Sequence, residues 1–162
     1  MAVDMFLELE GIKGETVDKA YKSKNAIDLL AWSWGLSNSG TFHQGAGGGA
    51  GKASFQDISV TKYIDLASPN LMLFCANGKH ITKGTLTVRK AGENPLDYLK
   101  ITLDKIMVTS LSTGGSGGED RLTENVSLNF AGVKVEYAQQ DAKGGKAGSN
   151  DFGWNIAENA KK

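Results

Sequence analysis

The chain has 162 residues with 18 Lys+Arg against 18 Asp+Glu, a length that suits one domain, here residues 1–162. Zero net charge supplies no bulk field for nucleic acid or an anionic membrane, so neither is expected as a partner, while near-neutrality favours self-association. The single cysteine, Cys75, excludes an internal disulfide; within the apolar run Leu71–Ala76 it reads as a buried thiol. That run is far shorter than the ~20 residues needed to span a bilayer. The start, MAVDMFLELEG, has no basic and apolar leader, so synthesis in the cytoplasm without a cleaved signal is expected.

Period-two patterning dominates. Val3, Met5, Leu7 and Leu9 alternate with Asp4 and Glu8 as a first strand. Ile27–Trp34 reads as a strand apolar on both faces, with Leu30, Trp32 and Trp34 opposite Ile27, Leu29 and Ala31. Ser54–Val60 aligns Gln56, Ile58 and Val60, and Ser68-Pro69 opens one helix that Gly78 closes, with Ser68 as its cap. Thr85–Lys90 turns Leu86 and Val88 inward. Leu96–Leu103 alternates and resumes at Ile106–Leu111 after a turn or bulge at Asp104-Lys105. Val126, Leu128 and Phe130 share one parity and Val133, Val135 and Tyr137 the other, which predicts a bulge at Ala131-Gly132. Phe152, Trp154 and Ile156 form a last strand. The fold class is mainly β, a small two-sheet barrel or sandwich with one short helix.

Glycine-rich stretches are the candidates for chemistry. Ala46–Ala53, AGGGAGKA, nearly matches a phosphate-binding loop with Lys52 on the phosphates. Such a loop needs a hydroxyl where Ala53 stands, and a helix where SFQDISV reads as strand. A surface loop is the better reading. Gly114, Gly115, Ser116, Gly117, Gly118, Glu119, Asp120 and Arg121 could form an anion nest, but between two strands they read more simply as a long loop allowing close backbone approach. His43 and His80 lie at no metal-ligand spacing from each other or from Cys75. No acid–base pair or activated nucleophile stands out, so neither an enzyme nor a cofactor is expected. Trp32-Ser33-Trp34 places two indoles on one face and Ser33 on the other, as a core pair with an outward hydroxyl or as a serine facing a lumen or partner. A monomeric sugar-binding barrel using Trp32, Trp34 or Trp154 as a stacking platform is the alternative reading.

Several long segments resemble the Hcp (haemolysin-coregulated protein) family, the tube subunit of the type VI secretion system. They are MAVDMFLELEGIKGE, LAWSWGLSNSG, GAGGGAGKASFQDISVTKYID, SPNLMLFCANGKH, LTVRKAG, STGGSGGEDRLTENVSLNF and FGWNIAEN. Thr16–Asn25 and Gln139–Asn150 match least. The resemblance implies a β-barrel with a short helix, six copies closing into a homohexameric ring, and rings stacking into a tube that a contractile sheath expels. It also implies effector proteins carried in the channel, tip and sheath components as partners, and secretion to the medium or a target cell. With nothing after Lys162, a plain tube subunit without a fused toxin is expected. Carried over by position, Ser33 faces the channel, and Gly114–Arg121 is a ring or tube contact loop.

Overall fold

A computed structural model describes residues 2–43, 49 and 51–162. β1 (Val3–Leu9) follows the expected alternation, with Leu7 and Leu9 buried. β2 (Ile27–Asp28) and β3 (Ala31–Ser33) lead to β4 (Leu36–Asn38), which pairs with β5 (Ala53–Phe55). After β6 (Ile58–Tyr63) comes α1 (Ser68–Asn77), then four further strands: β7 (Ile81–Lys90), β8 (Leu96–Gly114), β9 (Thr123–Gln140) and β10 (Lys146–Asn155). The described chain ends on β11 (Ala160–Lys161). A nine-stranded sheet holds all of these strands except the β4–β5 pair, which forms a second small sheet.

The large sheet closes on itself. β1, β7, β8, β9 and β6 are antiparallel neighbours in that order. The stretch Ile27–Ser33 stitches the two ends together, since β2 pairs with β1 and β3 with β6. The handover falls between adjacent residues: Leu29 N–H donates to Met5 C=O and Leu30 N–H to Thr61 C=O. The expected continuous strand Ile27–Trp34 is therefore two short pieces around a corner. Ile27 and Leu29 point into the barrel, Leu30 and Ala31 are exposed, and Trp32 and Trp34 lie half-buried against the core. Closure removes edges that an open sheet leaves unpaired.

Inside are the aliphatic residues the patterning marked, among them Val60, Leu86, Val88, Ile101, Leu103, Ile106, Val126, Leu128 and Val133. α1 joins this core through Leu71 and Phe74, with Ala67 just ahead of it. Pro69 sits at its start, and Gly78, at φ 69°, ends it by donating its N–H to Phe74 C=O at 3.0 Å. Ser68 is not the cap. Asp65 Oδ1 accepts the Ala67 N–H, while Ser68 Oγ turns into a buried polar group described below. Cys75 is half-buried and packs against the core, a little more open than expected.

β8 and β9 change parity together. Asp104 pairs with Gly132 and Ile106 with Phe130 in one unbroken register. Lys105, at φ 51°, reverses the inward face on its own strand while β9 reverses opposite it. The bulge expected at Ala131-Gly132 is therefore absent as a register shift. It falls instead at Thr109, where Val108 pairs with Leu128 but Ser110 with Ser127.

Thr16–Asn25, which matches the family least, is held to the barrel by specific contacts. Tyr21 is buried and stacks on Phe6 with ring centroids 4.1 Å apart. The Arg89 guanidinium lies over both rings and pairs with Asp4 and Asp18.

Candidate functional site

The outward side of β3, β6, β9 and β8 is paved with short uncharged polar side chains, because the residues alternating with the core aliphatics are Ser, Thr and Asn. One cross-strand row runs Ser33, Ser59, Ser127, Ser110; the next runs Ala31, Thr61, Asn125, Ser112. Ser33, Ser59, Asn125, Ser110 and Ser112 are exposed, and Thr61 and Ser127 partly so. Within each row β6 and β9 are tied laterally: Thr61 Oγ1 donates to Asn125 Oδ1 at 2.7 Å, and the Ser59 and Ser127 hydroxyls lie 3.4 Å apart. Asp57 flanks the serine row, its carboxylate accepting from Thr109 Oγ1 at 2.7 Å and Asn129 Nδ2 at 2.9 Å. The Thr109 bulge thus re-aims a hydroxyl onto a charge beside this face.

Two hairpin arms leave the face by opposite ends of its strands. Past Tyr63, Thr123 and Gly114, paired across β6, β9 and β8, the chain continues as the loop Gly115–Leu122. In the other direction Ser33 and Ser59 lead through Gly35 and Gln56, bonded by Gln56 N–H to Gly35 C=O, into β4 and β5. Asn38 brackets that second arm, accepting N–H groups from Gly40 and Gly51 and donating to Gly51 C=O. Much of Ala46–Ala53 lies outside the described residues. Lys52 is exposed and leads into strand β5, so no helix N-terminus stands behind it for a phosphate.

The first arm carries Gly114–Arg121, all exposed. A turn at its tip is held by Glu119 N–H donating to Ser116 C=O at 3.2 Å. None of its four glycines adopts positive φ. A Cβ at Gly115 would strike Leu122, but at Gly114, Gly117 or Gly118 it would meet nothing within 4 Å. The chain's own fold therefore does not require glycine at those three positions. Arg121 folds back over the Tyr63 ring, 3.8 Å from its centroid.

The indoles offer no clear platform. Trp34 donates Nε1–H to Gln56 C=O at 2.9 Å and, like Trp32, packs on the core. Trp154 stacks beside Phe152, with ring centroids 6.5 Å apart. Among the described residues no group of three His, Cys, Asp or Glu side chains could hold a metal, and no helix is long and apolar enough to cross a membrane.

Ser33 and Gly114–Arg121 thus share one set of strands, Ser33 within the hydroxyl face and the loop beyond one end. The remaining hydroxyls and Asp57 went unread in the sequence, although Ser-x-Thr in ISVTKY and Asn-x-Ser in ENVSLNF carry the signal: polar residues interleaved with buried ones on paired strands.

A family model described as type VI secretion system effector, Hcp, matches residues 6–137. Protein hcp1 of Pseudomonas aeruginosa is 57% identical over 163 aligned positions that cover 99% of each chain. A solved structure described as a type six secretion system protein superposes with a TM-score of 0.93 at 29% identity, over 99% of this chain and 100% of that one. Hcp1 from Salmonella typhimurium does so with a TM-score of 0.82 at 40% identity, over 100% of both chains. With the family model spanning most of the barrel and one relative matching end to end, this chain belongs to the Hcp family of type VI secretion proteins.

Proposed function

We propose that the chain is a structural, non-enzymatic tube subunit: six copies close into a ring, the hydroxyl face lines the channel, and rings stack through the hairpin arms. The observation that carries this reading is the pairing of a short-chained, polar sheet face with arms at both of its ends. A channel wall must stay wet and admit varied proteins. Short Ser, Thr and Asn side chains present hydrogen-bond donors and acceptors without long charged groups that would fix one cargo. Effector proteins are held against Ser33 and its row by weak, water-shared contacts.

Glycines that the monomer does not need at 114, 117 and 118 are accounted for by a neighbour that approaches the backbone closely. Because the arms leave by opposite ends, head-to-tail stacking sets one kind of arm against the other. Side-by-side contacts in a ring are heterologous, and closure at six leaves no free surface of that type. The protein is made in the cytoplasm, leaves through the secretion apparatus and meets its sheath and tip on the way.

The test is the solution mass with negative-stain micrographs: the reading expects a particle of six chains with a central hole. A monomer at every concentration would end it. Ser33→Trp, which fills the channel side without entering the core, should leave the ring intact and abolish retention of co-expressed effectors.

A further inference from the structure

Inside the barrel, at the root of the glycine arm, lies an ion pair that the tube reading does not use. Lys62 on β6 and Glu124 on β9 are direct cross-strand partners. They point inward from the strands that bury Ile58, Val60, Val126 and Leu128, and both side chains are 0% exposed. Lys62 Nζ bonds Glu124 Oε1, pairs with Asp65 Oδ1 at 2.8 Å, and donates to Ser68 Oγ at 3.1 Å. Ser68 Oγ donates to Glu124 Oε1 at 2.6 Å and accepts the Asp65 N–H at 2.9 Å. The group therefore ties together β6, β9 and the start of α1.

Stability alone does not account for it. Two charges withdrawn from water lose about as much hydration as their attraction returns, and well-packed apolar replacements are often as stable or more so. Here Glu124 Oε2 is buried with no hydrogen-bond partner, which costs further. What a charged, multiply bonded group offers over an apolar pair is a single geometry.

Its location says what that geometry governs. Glu124 is the second residue of β9, three positions after Arg121 at the end of the arm. Next to Lys62, Tyr63 receives the Arg121 guanidinium on the outer face, and Ile64 N–H donates to Leu122 C=O at 2.8 Å. Three consecutive residues, 62 to 64, thus grip the returning strand of the arm from the inside, from the outside and along the backbone.

We infer that Lys62, Glu124, Ser68 and Asp65 form a positioning device that presets the angle at which the Gly114–Arg121 arm leaves the barrel. Its effect on tube assembly rests on the reading that the arm meets the next ring; its effect on the arm does not.

The experiment replaces the pair by Lys62→Met with Glu124→Leu in the full chain and follows three readouts. The unfolding midpoint is expected within about 4 °C of the parent. Amide exchange at Ile64 and across Ser112–Asn125 is expected to accelerate about tenfold, with β1 and β7 amides unchanged. Ring mass is expected to persist while ring-to-ring association weakens. Arm amides exchanging at the parental rate would overturn the inference, and so would a double variant that cannot fold, since the fold would then need the charges. Gly117→Asp in the native background separates the two ideas: unchanged stacking there removes the arm from tube assembly, while the exchange result still decides the positioning role.

Discussion

Glu124 illustrates how much rests on single buried polar atoms. Removing its charge while Lys62 stays leaves an ammonium inside the barrel with Asp65 as its remaining carboxylate. Glu124→Gln is therefore expected to cost about 3 kcal/mol in denaturant unfolding, the range for breaking one side of a buried pair. The apolar double replacement should be close to neutral. Arg89 makes the complementary case near the surface. Its hydrogen bond, outweighing burial, holds the Asp18 carboxyl below its ordinary value. The unfolded chain binds this proton more readily, so the stabilisation is present above about pH 4 and is lost as pH falls through the folded value. Tyr21 runs the other way. Burial first, then its 2.8 Å bond to Asp97, pushes the phenol above its usual value. The folded chain keeps that proton longer, so stability is present below about pH 10 and declines as pH rises beyond it. Tyr21→Phe should lower stability at neutral pH by about 1 kcal/mol, the value of one hydrogen bond, and flatten the alkaline limb. A pH titration of the unfolding midpoint reads both, and an undiminished alkaline limb in the variant would contradict this account.

Among the elements, the glycine arm gives the sharpest prediction. Gly117 has open space where a Cβ would stand and no positive φ. Gly117→Ala should leave the monomer fold unharmed or stabilise it by about 0.4–1 kcal/mol through the unfolded state, while weakening tube formation. Sedimentation of assembled rings beside a thermal melt would separate the two, and equal loss in both would mean the glycine serves the monomer after all. The strands themselves were legible in the sequence because alternation of Leu, Ile and Val with polar residues survives folding almost intact in β1, β7, β8 and β9. What misled was a change of neighbour. Leu29 and Leu30 are both apolar, yet consecutive N–H groups bond different strands, so one side chain is core and the next is 40% exposed. The reversal at Lys105 was visible as a parity switch, but local sequence cannot say whether one strand or both absorb it. Ser33 and the arm could be singled out one by one. Their common strands, and the hydroxyls between them, emerge only from cross-strand register, which is a long-range property.

At the scale of the whole molecule, the barrel is shut by a seven-residue stretch, Ile27–Ser33, that divides its bonds between β1 and β6. Leu29→Ala removes an apolar plug at the handover, and about 3 kcal/mol of destabilisation is expected from lost burial and the cavity left behind. Calorimetry should show a midpoint lowered by several degrees. Leu30→Ala, on the exposed side of the same corner, should change the isolated fold little. That short stretch also bears Ser33, turned away from the interior it helps to seal. If that outward face lines the proposed channel, exchanging side chains at 33, 59 and 127 would change what the channel admits while leaving the barrel closed. Lengthening or shortening the backbone between Ile27 and Trp34, by contrast, would slip the clasp and open the barrel itself.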